Sequence, residues 1–250
     1  MKSKRLVCFL IWLVIFGQLL GKVRMVLVNH NSKGLTKMPT INSNERTSIT
    51  ELYCKVNSIT RIVQTDLNNF PSLDILSLWS NQLTYIEDGS FEGTVLSRLE
   101  LGKNKLTTLP ELHEVRTSLK ILGLAYNNIR TISFNEIEFL TSLQLLHLGY
   151  NPLVSIPDMN DLLPSMTELE IGPSVPCCPW MKDMGARFNI RETCSSPPDV
   201  VGLAWANISS AQLIGGIFCP GEYMNFNSFV MSNNFYIVSV TGIKFNMIVE

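Results

Sequence analysis

The side chains of this 250-residue chain with the greatest chemical reach are its cysteines, its histidines and its scattered tyrosines and tryptophans. Cys177, Cys178, Cys194 and Cys219 cluster in the C-terminal part. In an exported chain an even cluster of four reads as two disulfides, and composition alone leaves the connectivity open. Four thiolates could also hold zinc. However, zinc sites use spaced Cys-x-x-Cys ligand pairs, and Cys177 and Cys178 are adjacent. Cys8 lies in an apolar N-terminal run, and Cys54 stands alone in a slot that leucine fills elsewhere. An interior thiol with no charged neighbour is a small hydrophobe rather than a nucleophile. His30, His113 and His147 are far apart in sequence, and no G-x-S-x-G, H-E-x-x-H, P-loop or G-x-G-x-x-G motif is present. No catalytic residue, cofactor or metal is expected. Binding is the chemistry left.

Composition narrows the binding partners. The formal net charge is −1, from 20 basic and 21 acidic residues, with no arginine-rich run, so no nucleic-acid footprint is expected. Apolar residues make up 46% and charged residues 16%, which excludes a wholly disordered chain. Lys2, Lys4 and Arg5 precede an uncharged, mostly apolar run from Leu6 to Leu20. At helical rise that run is short for a bilayer core, so a cleavable export signal over residues 1–21 fits better than a spanning helix. Leu19 is a poor residue for the cleavage context before Gly21, which leaves an uncleaved signal-anchor as the second reading.

The elements that would position these residues come from a repeat. The pattern L-x-x-L-x-L-x-x-N-x-L-x-x-I starts at Ile49, Leu73, Leu96, Leu119 and Leu143, and a partial copy starts at Met166. Asn57, Asn81, Asn104, Asn127 and Asn151 stay in register. The alternating L-x-L step predicts a short strand with one buried face in each copy. One copy cannot bury its own apolar edge, so the copies must stack into a continuous core. Over residues 49–171 the chain resembles the leucine-rich repeat family. The fold that this implies is α/β: a right-handed solenoid, or horseshoe, with a parallel β-sheet on its concave side. Each asparagine sits where the chain leaves the strand, where its amide would satisfy backbone groups of a curved coil.

Residues 172–219 resemble the cysteine-rich C-terminal flank of extracellular leucine-rich repeat proteins. The match is carried by Cys177, Cys178, Trp180, Cys194, Pro197, Pro198 and Cys219, although the family spaces the first two cysteines by one residue. The resemblance implies Cys177–Cys194 and Cys178–Cys219 disulfides, each contributing about 2–4 kcal/mol. Residues 22–48 resemble the end of the matching N-terminal flank through Gly34, Leu35, Thr36 and Pro39. They lack its cysteines, with His30 or Asn31 near the place of the last one. That end is predicted to be a strand without staples and the least stable part. Residues 220–250 form a tail without repeats, expected to be poorly ordered. Met224 to Ile243 carries no charge, but its asparagines and serines make membrane insertion costly. A glycolipid-anchor signal is a further alternative there.

Strand residues that do not face the core would line the concave side. The candidate ligand-binding residues are Tyr53, Trp79, Arg98, Lys103, Tyr126, His147 and Tyr150, accompanied by Lys55, Ser77, Glu100, Lys120, Glu168 and Glu170. Exposed tyrosine and tryptophan on a rigid curved face are typical interface anchors. Asn207-Ile208-Ser209 is a glycosylation sequon within the C-terminal flank. The expected function is an extracellular protein-binding module of the adhesion, matrix, guidance or recognition type, with a protein ligand on the concave face. The alternatives are a truncated receptor ectodomain and an intracellular scaffold with reduced thiols.

Overall fold

The computed structural model describes residues 25–154, 156–160, 162–172, 181–188, 190, 229–232, 235–240 and 243–248. The signal segment, the four clustered cysteines and Asn207 lie outside them. Strands β1 (Leu27–Asn29) and β2 (Glu51–Tyr53) begin a parallel sheet. Two short strands, β3 (Arg61–Ile62) and β5 (Tyr85–Ile86), pair with each other outside that sheet. The main sheet continues through β4 (Ile75–Ser77), β6 (Arg98–Glu100), β7 (Ile121–Gly123), β8 (Leu145–His147) and β9 (Glu168–Glu170). Its seven strands stand in chain order. This is the predicted leucine-rich repeat solenoid.

Register follows from the alternation. Leu52, Leu76, Leu99, Leu122, Leu146 and Leu169 pair in one row, and each is buried. A slip of one residue would bring this row to the solvent side and bury Arg98 or Glu168, so burial alone selects the register. Val28 extends the row into β1, which confirms a strand in the N-terminal segment.

The asparagines close each coil. In Asn104, Nδ2 donates to the Leu78 and Leu101 carbonyls at 3.0 and 2.8 Å, and Oδ1 accepts from the Leu83 N–H at 2.9 Å. Asn81, Asn127 and Asn151 repeat the arrangement, each tying its own strand to the preceding coil. Asn57 does the same toward His30 and Leu35, so the ladder reaches the N-terminal segment. All but Asn57 are buried, where an unpaired backbone group would cost about 1–3 kcal/mol. Asn31, near the position of the missing cysteine, accepts the Lys55 N–H through Oδ1 at 2.6 Å.

The convex side carries helical turns at Ser43–Arg46, Gln64–Leu67 and Phe134–Ile137 and a 3-10 turn at His113–Val115. Ser133 and Glu136 form a capping box at the start of the third, with Glu136 accepting the Ser133 N–H at 2.7 Å. Leu67, Phe70, Phe91, Leu112, Val115, Ile137 and Leu140 bury the inner surface of this side. The repeat pattern ends before them, although Leu67, Phe91 and Ile137 each fall 18 residues after the start of their copy. At the C-terminal end a helix, Met181–Arg187, covers the last coil. Met184, Phe188 and Ile190 join the core, and Arg187 donates to the Leu163 carbonyl at 3.0 Å and to that of Asn160.

The tail departs from expectation. In place of a poorly ordered segment, β10 (Phe229–Ser232), β11 (Phe235–Val240) and β12 (Ile243–Ile248) form an antiparallel three-stranded sheet. Phe, Tyr, Ile and Val dominate these strands, and Asn233-Asn234 and Thr241-Gly242 separate them, which are residue types that favour extended runs and turns respectively.

Candidate functional site

Three columns of side chains cross the concave sheet, one residue per coil. Glu51, Ile75, Arg98, Ile121, Leu145 and Glu168 form the first, and Tyr53, Ser77, Glu100, Gly123, His147 and Glu170 the second. After the next buried core position come Lys55, Trp79, Gly102, Ala125 and Gly149. Their carbonyls accept N–H groups from Ser32, Val56, Ser80, Lys103 and Tyr126 of the preceding coils. Of the predicted binding residues, Tyr53, Arg98, His147 and Trp79 stand in these columns. The first column also contains Glu51, Ile75, Ile121 and Leu145, which sequence reasoning missed although strict alternation places them there.

Three predicted residues occupy a different position. Lys103, Tyr126 and Tyr150 directly precede their asparagines and have φ of 55°, 58° and 57°, as do Val56 and Ser80 at 55° and 60°. The strands end after three residues, so these side chains project from the turn at the rim rather than from the sheet. Left-handed backbone is unusual for bulky residues. Here it recurs because each of these asparagines bonds to the preceding coil and the N–H groups of Val56, Ser80, Lys103 and Tyr126 to the following one. Lys120 precedes β7 rather than lying in it. Ser77 is also corrected: it is 1% exposed, the floor of the concave surface rather than part of its top.

The rim tyrosines form a ridge with Trp79. Tyr126 and Tyr150 stack with centroids 4.2 Å apart and planes within 8°. Trp79 meets Tyr126 edge-on at 6.1 Å. This contact spans two coils, and Gly102 permits it: a Cβ there would collide with the Trp79 ring and lie 3.1 Å from the Ala125 carbonyl oxygen. Tyr126 and Tyr150 remain 45% and 64% exposed, so the ridge presents aromatic area that the solenoid core does not use. The Tyr150 hydroxyl beside it raises the pKa of Tyr126 above its ordinary value, with desolvation adding to the effect.

Beside the ridge, Tyr53, Lys55, Ile75, Ser77, Trp79, Arg98 and Glu100 line a cavity of about 310 Å³. Arg98 Nε donates to Glu100 Oε1 at 2.8 Å, and Tyr53 Oη donates to Glu51 Oε2 at 2.9 Å. Burial and that hydrogen bond raise the Tyr53 pKa, keeping its proton in place. Lys55 Nζ lies 5.2 Å from the centre of the Tyr53 ring. Farther along, His147 Nε2 is 3.7 Å from Glu168 Oε1 and its Nδ1 is 4.0 Å from Glu170 Oε2, so the C-terminal end of the face is acidic. Cys54 is buried within the core, and desolvation pushes its thiol up to about 12, which keeps it protonated and unreactive. Among the described residues, no group of three or more His, Cys, Asp or Glu is placed to hold a metal ion, and no helix is long and apolar enough to cross a membrane.

Stacked coils, a parallel concave sheet and an asparagine ladder define a leucine-rich repeat fold. The leucine rich repeat family matches residues 71–113 and 96–153. Among curated relatives, bovine (Bos taurus) Asporin is 30% identical over 111 residues, covering 44% of this chain and 30% of that protein. Lumican of Rattus norvegicus is 33% identical over 119 residues, covering 46% and 35% respectively. Chaoptin of Drosophila melanogaster is 30% identical over 129 residues, covering 51% of this chain and 10% of its own length. The chain thus spans about a third or less of each of these relatives. A solved leucine-rich repeat protein of Leptospira interrogans shares the fold, with a TM-score of 0.54 and 24% identity over 68% of this chain and 42% of that one.

Proposed function

We propose that this chain is an extracellular protein-binding module that reaches the outside through the secretory pathway and holds a protein partner on the concave face and its aromatic rim. The observation that carries this reading is the Trp79–Tyr126–Tyr150 ridge. Large aromatic side chains are arranged across coils, with glycine at the crossing point, and two of the three rings stay exposed. Such area stabilises the coil little and is what a partner buries at a hot spot. The resemblance of residues 172–219 to an extracellular cysteine-rich flank supports export, with Cys177–Cys194 and Cys178–Cys219 disulfides and a glycan on Asn207 as its expected marks.

The test is the intact mass of protein recovered from culture medium, unfolded in denaturant, alkylated without reduction and treated with a glycosidase. A chain starting near Lys22, with Cys54 as its one alkylated thiol, is the expected result. Protein retained in cells from Met1, with every cysteine alkylated, would reject export and the cap disulfides together.

A further inference from the structure

We infer that the cavity over β2, β4 and β6 is an acceptor site for an acidic side chain, the carboxylate of an aspartate or glutamate on an extended segment of the polypeptide partner. The inference rests on the concave-face reading above and adds the chemistry of the group received.

The donors and acceptors around the cavity do not balance. Its carboxylate, Glu100, is already engaged by Arg98 Nε, and the nearby Glu51 by the Tyr53 hydroxyl. Arg98 and Lys55 nevertheless keep donors that no group among the described residues takes up. The terminal nitrogens of Arg98 make no hydrogen bond among the described residues, and the Arg98 side chain is 47% exposed. The Lys55 ammonium has the Tyr53 ring as its neighbour and no carboxylate within ion-pair distance among the described residues.

Ser77 supplies the independent observation. Its hydroxyl is fully buried on the cavity floor and has no hydrogen-bond partner among the described residues. A buried hydroxyl without a partner is unfavourable for the fold, so its place at the base of a cavity that also holds the free donors of Arg98 and Lys55 points to an acceptor arriving from outside. A carboxylate suits the three groups together: one oxygen for the serine O–H, the other for the guanidinium, with the ammonium completing the neutralisation. The aromatic walls of Tyr53 and Trp79 lower the local polarity and strengthen each of these contacts. The opposite end of the face, with Glu168 and Glu170 beside His147, would repel the same group, so the site has a fixed place along the solenoid.

The experiment uses the full secreted chain and a short fluorescent peptide alternating glutamate and alanine, with a lysine–alanine peptide and a heparin oligosaccharide as the other probes. Polarisation is read at low and high salt. Saturable, salt-sensitive binding of the acidic peptide and none of the basic one is expected. Ser77→Ala and Lys55→Gln should each weaken it by about tenfold, the scale of one hydrogen bond to a charged group. Ser77→Ala should melt at or above the wild-type temperature, which separates lost binding from lost folding. Acidic-peptide binding that is unchanged in both variants overturns the inference. If that binding is instead abolished by Tyr126→Ser, the concave-face reading survives without the cavity. Failure of the wild type to bind the acidic peptide overturns it, as does Lys55-dependent binding of heparin alone, which assigns the cavity to a sulfated glycan.

Discussion

The asparagine turn and the concave strip beside it share one backbone and use it in opposite ways. In the turn, coil after coil places the same residue with the same partners, from Asn57 to Asn151. On the strip, equivalent positions hold Tyr53, Ser77, Glu100, Gly123, His147 and Glu170. The first region is uniform because every coil must satisfy the same buried N–H and C=O groups. The second is free to vary because its side chains do not hold coil to coil. Stability lies in what repeats, and specificity in what does not.

Substitutions can break that comparison if it is mistaken. The largest effect is expected for Asn104→Ala, which leaves the Leu83 N–H without its partner and removes one of the two asparagine amides that the Leu78 and Leu101 carbonyls each accept from. A loss of about 2–3 kcal/mol is expected in chemical denaturation, from one orphaned buried N–H together with the two lost amide–carbonyl bonds. Asn57→Ala should cost less, about 1 kcal/mol, because water reaches that half-buried turn. Equal losses at the two positions would show that burial does not set the size of the effect.

Gly102→Ala tests the strip where it is least free. The new methyl meets the Trp79 ring and the Ala125 carbonyl, both hard to displace, so about 1–3 kcal/mol should be lost together with the Trp79–Tyr126 contact. Fluorescence of Trp79 would report the displacement. Gly149→Ala is the milder counterpart. Its methyl would stand 2.7 Å from Glu170 Oε1, the end of a flexible side chain that can swing aside, so a change within about 0.5 kcal/mol is expected. A large loss there would make the acidic end of the face as rigid as the aromatic one.

The smallest effect near neutral pH concerns Cys54. Its thiol ionises at about 12 when folded against 9.0 ordinarily, so the folded state holds the proton more tightly. The contribution is fully present below pH 9 and is lost as pH rises toward 12. Native protein should resist iodoacetamide at Cys54 at pH 8 and react after unfolding. Rapid alkylation of the folded chain would place this coil outside the core.

The repeat, the sheet and the ladder were legible in the sequence because each rests on a fixed interval: an alternating pair of leucines and an asparagine at constant distance. Tyr53, Arg98 and His147 could be placed on the sheet by the same alternation. Lys103, Tyr126 and Tyr150 could not, because three-residue strands end earlier than the pattern of polar positions indicates and the next residue turns left-handed. The Trp79–Tyr126 contact was beyond reach for another reason. It depends on a side chain crossing a glycine in the intervening coil, which no interval within one repeat encodes. Burial of Ser77 likewise reflects the size of its neighbours rather than its own type. The tail strands were missed because the asparagines that argue against a membrane segment also separate runs of β-forming residues.

Photo-crosslinking tests the central claim most directly. Benzoylphenylalanine placed at position 126 on the rim, or at position 134 on the convex side where Phe134 is also exposed, is activated on cells that secrete the chain. The concave-rim account predicts a discrete protein adduct from position 126 and none from position 134. Adducts from position 134 alone would place the partner on the convex side and contradict it.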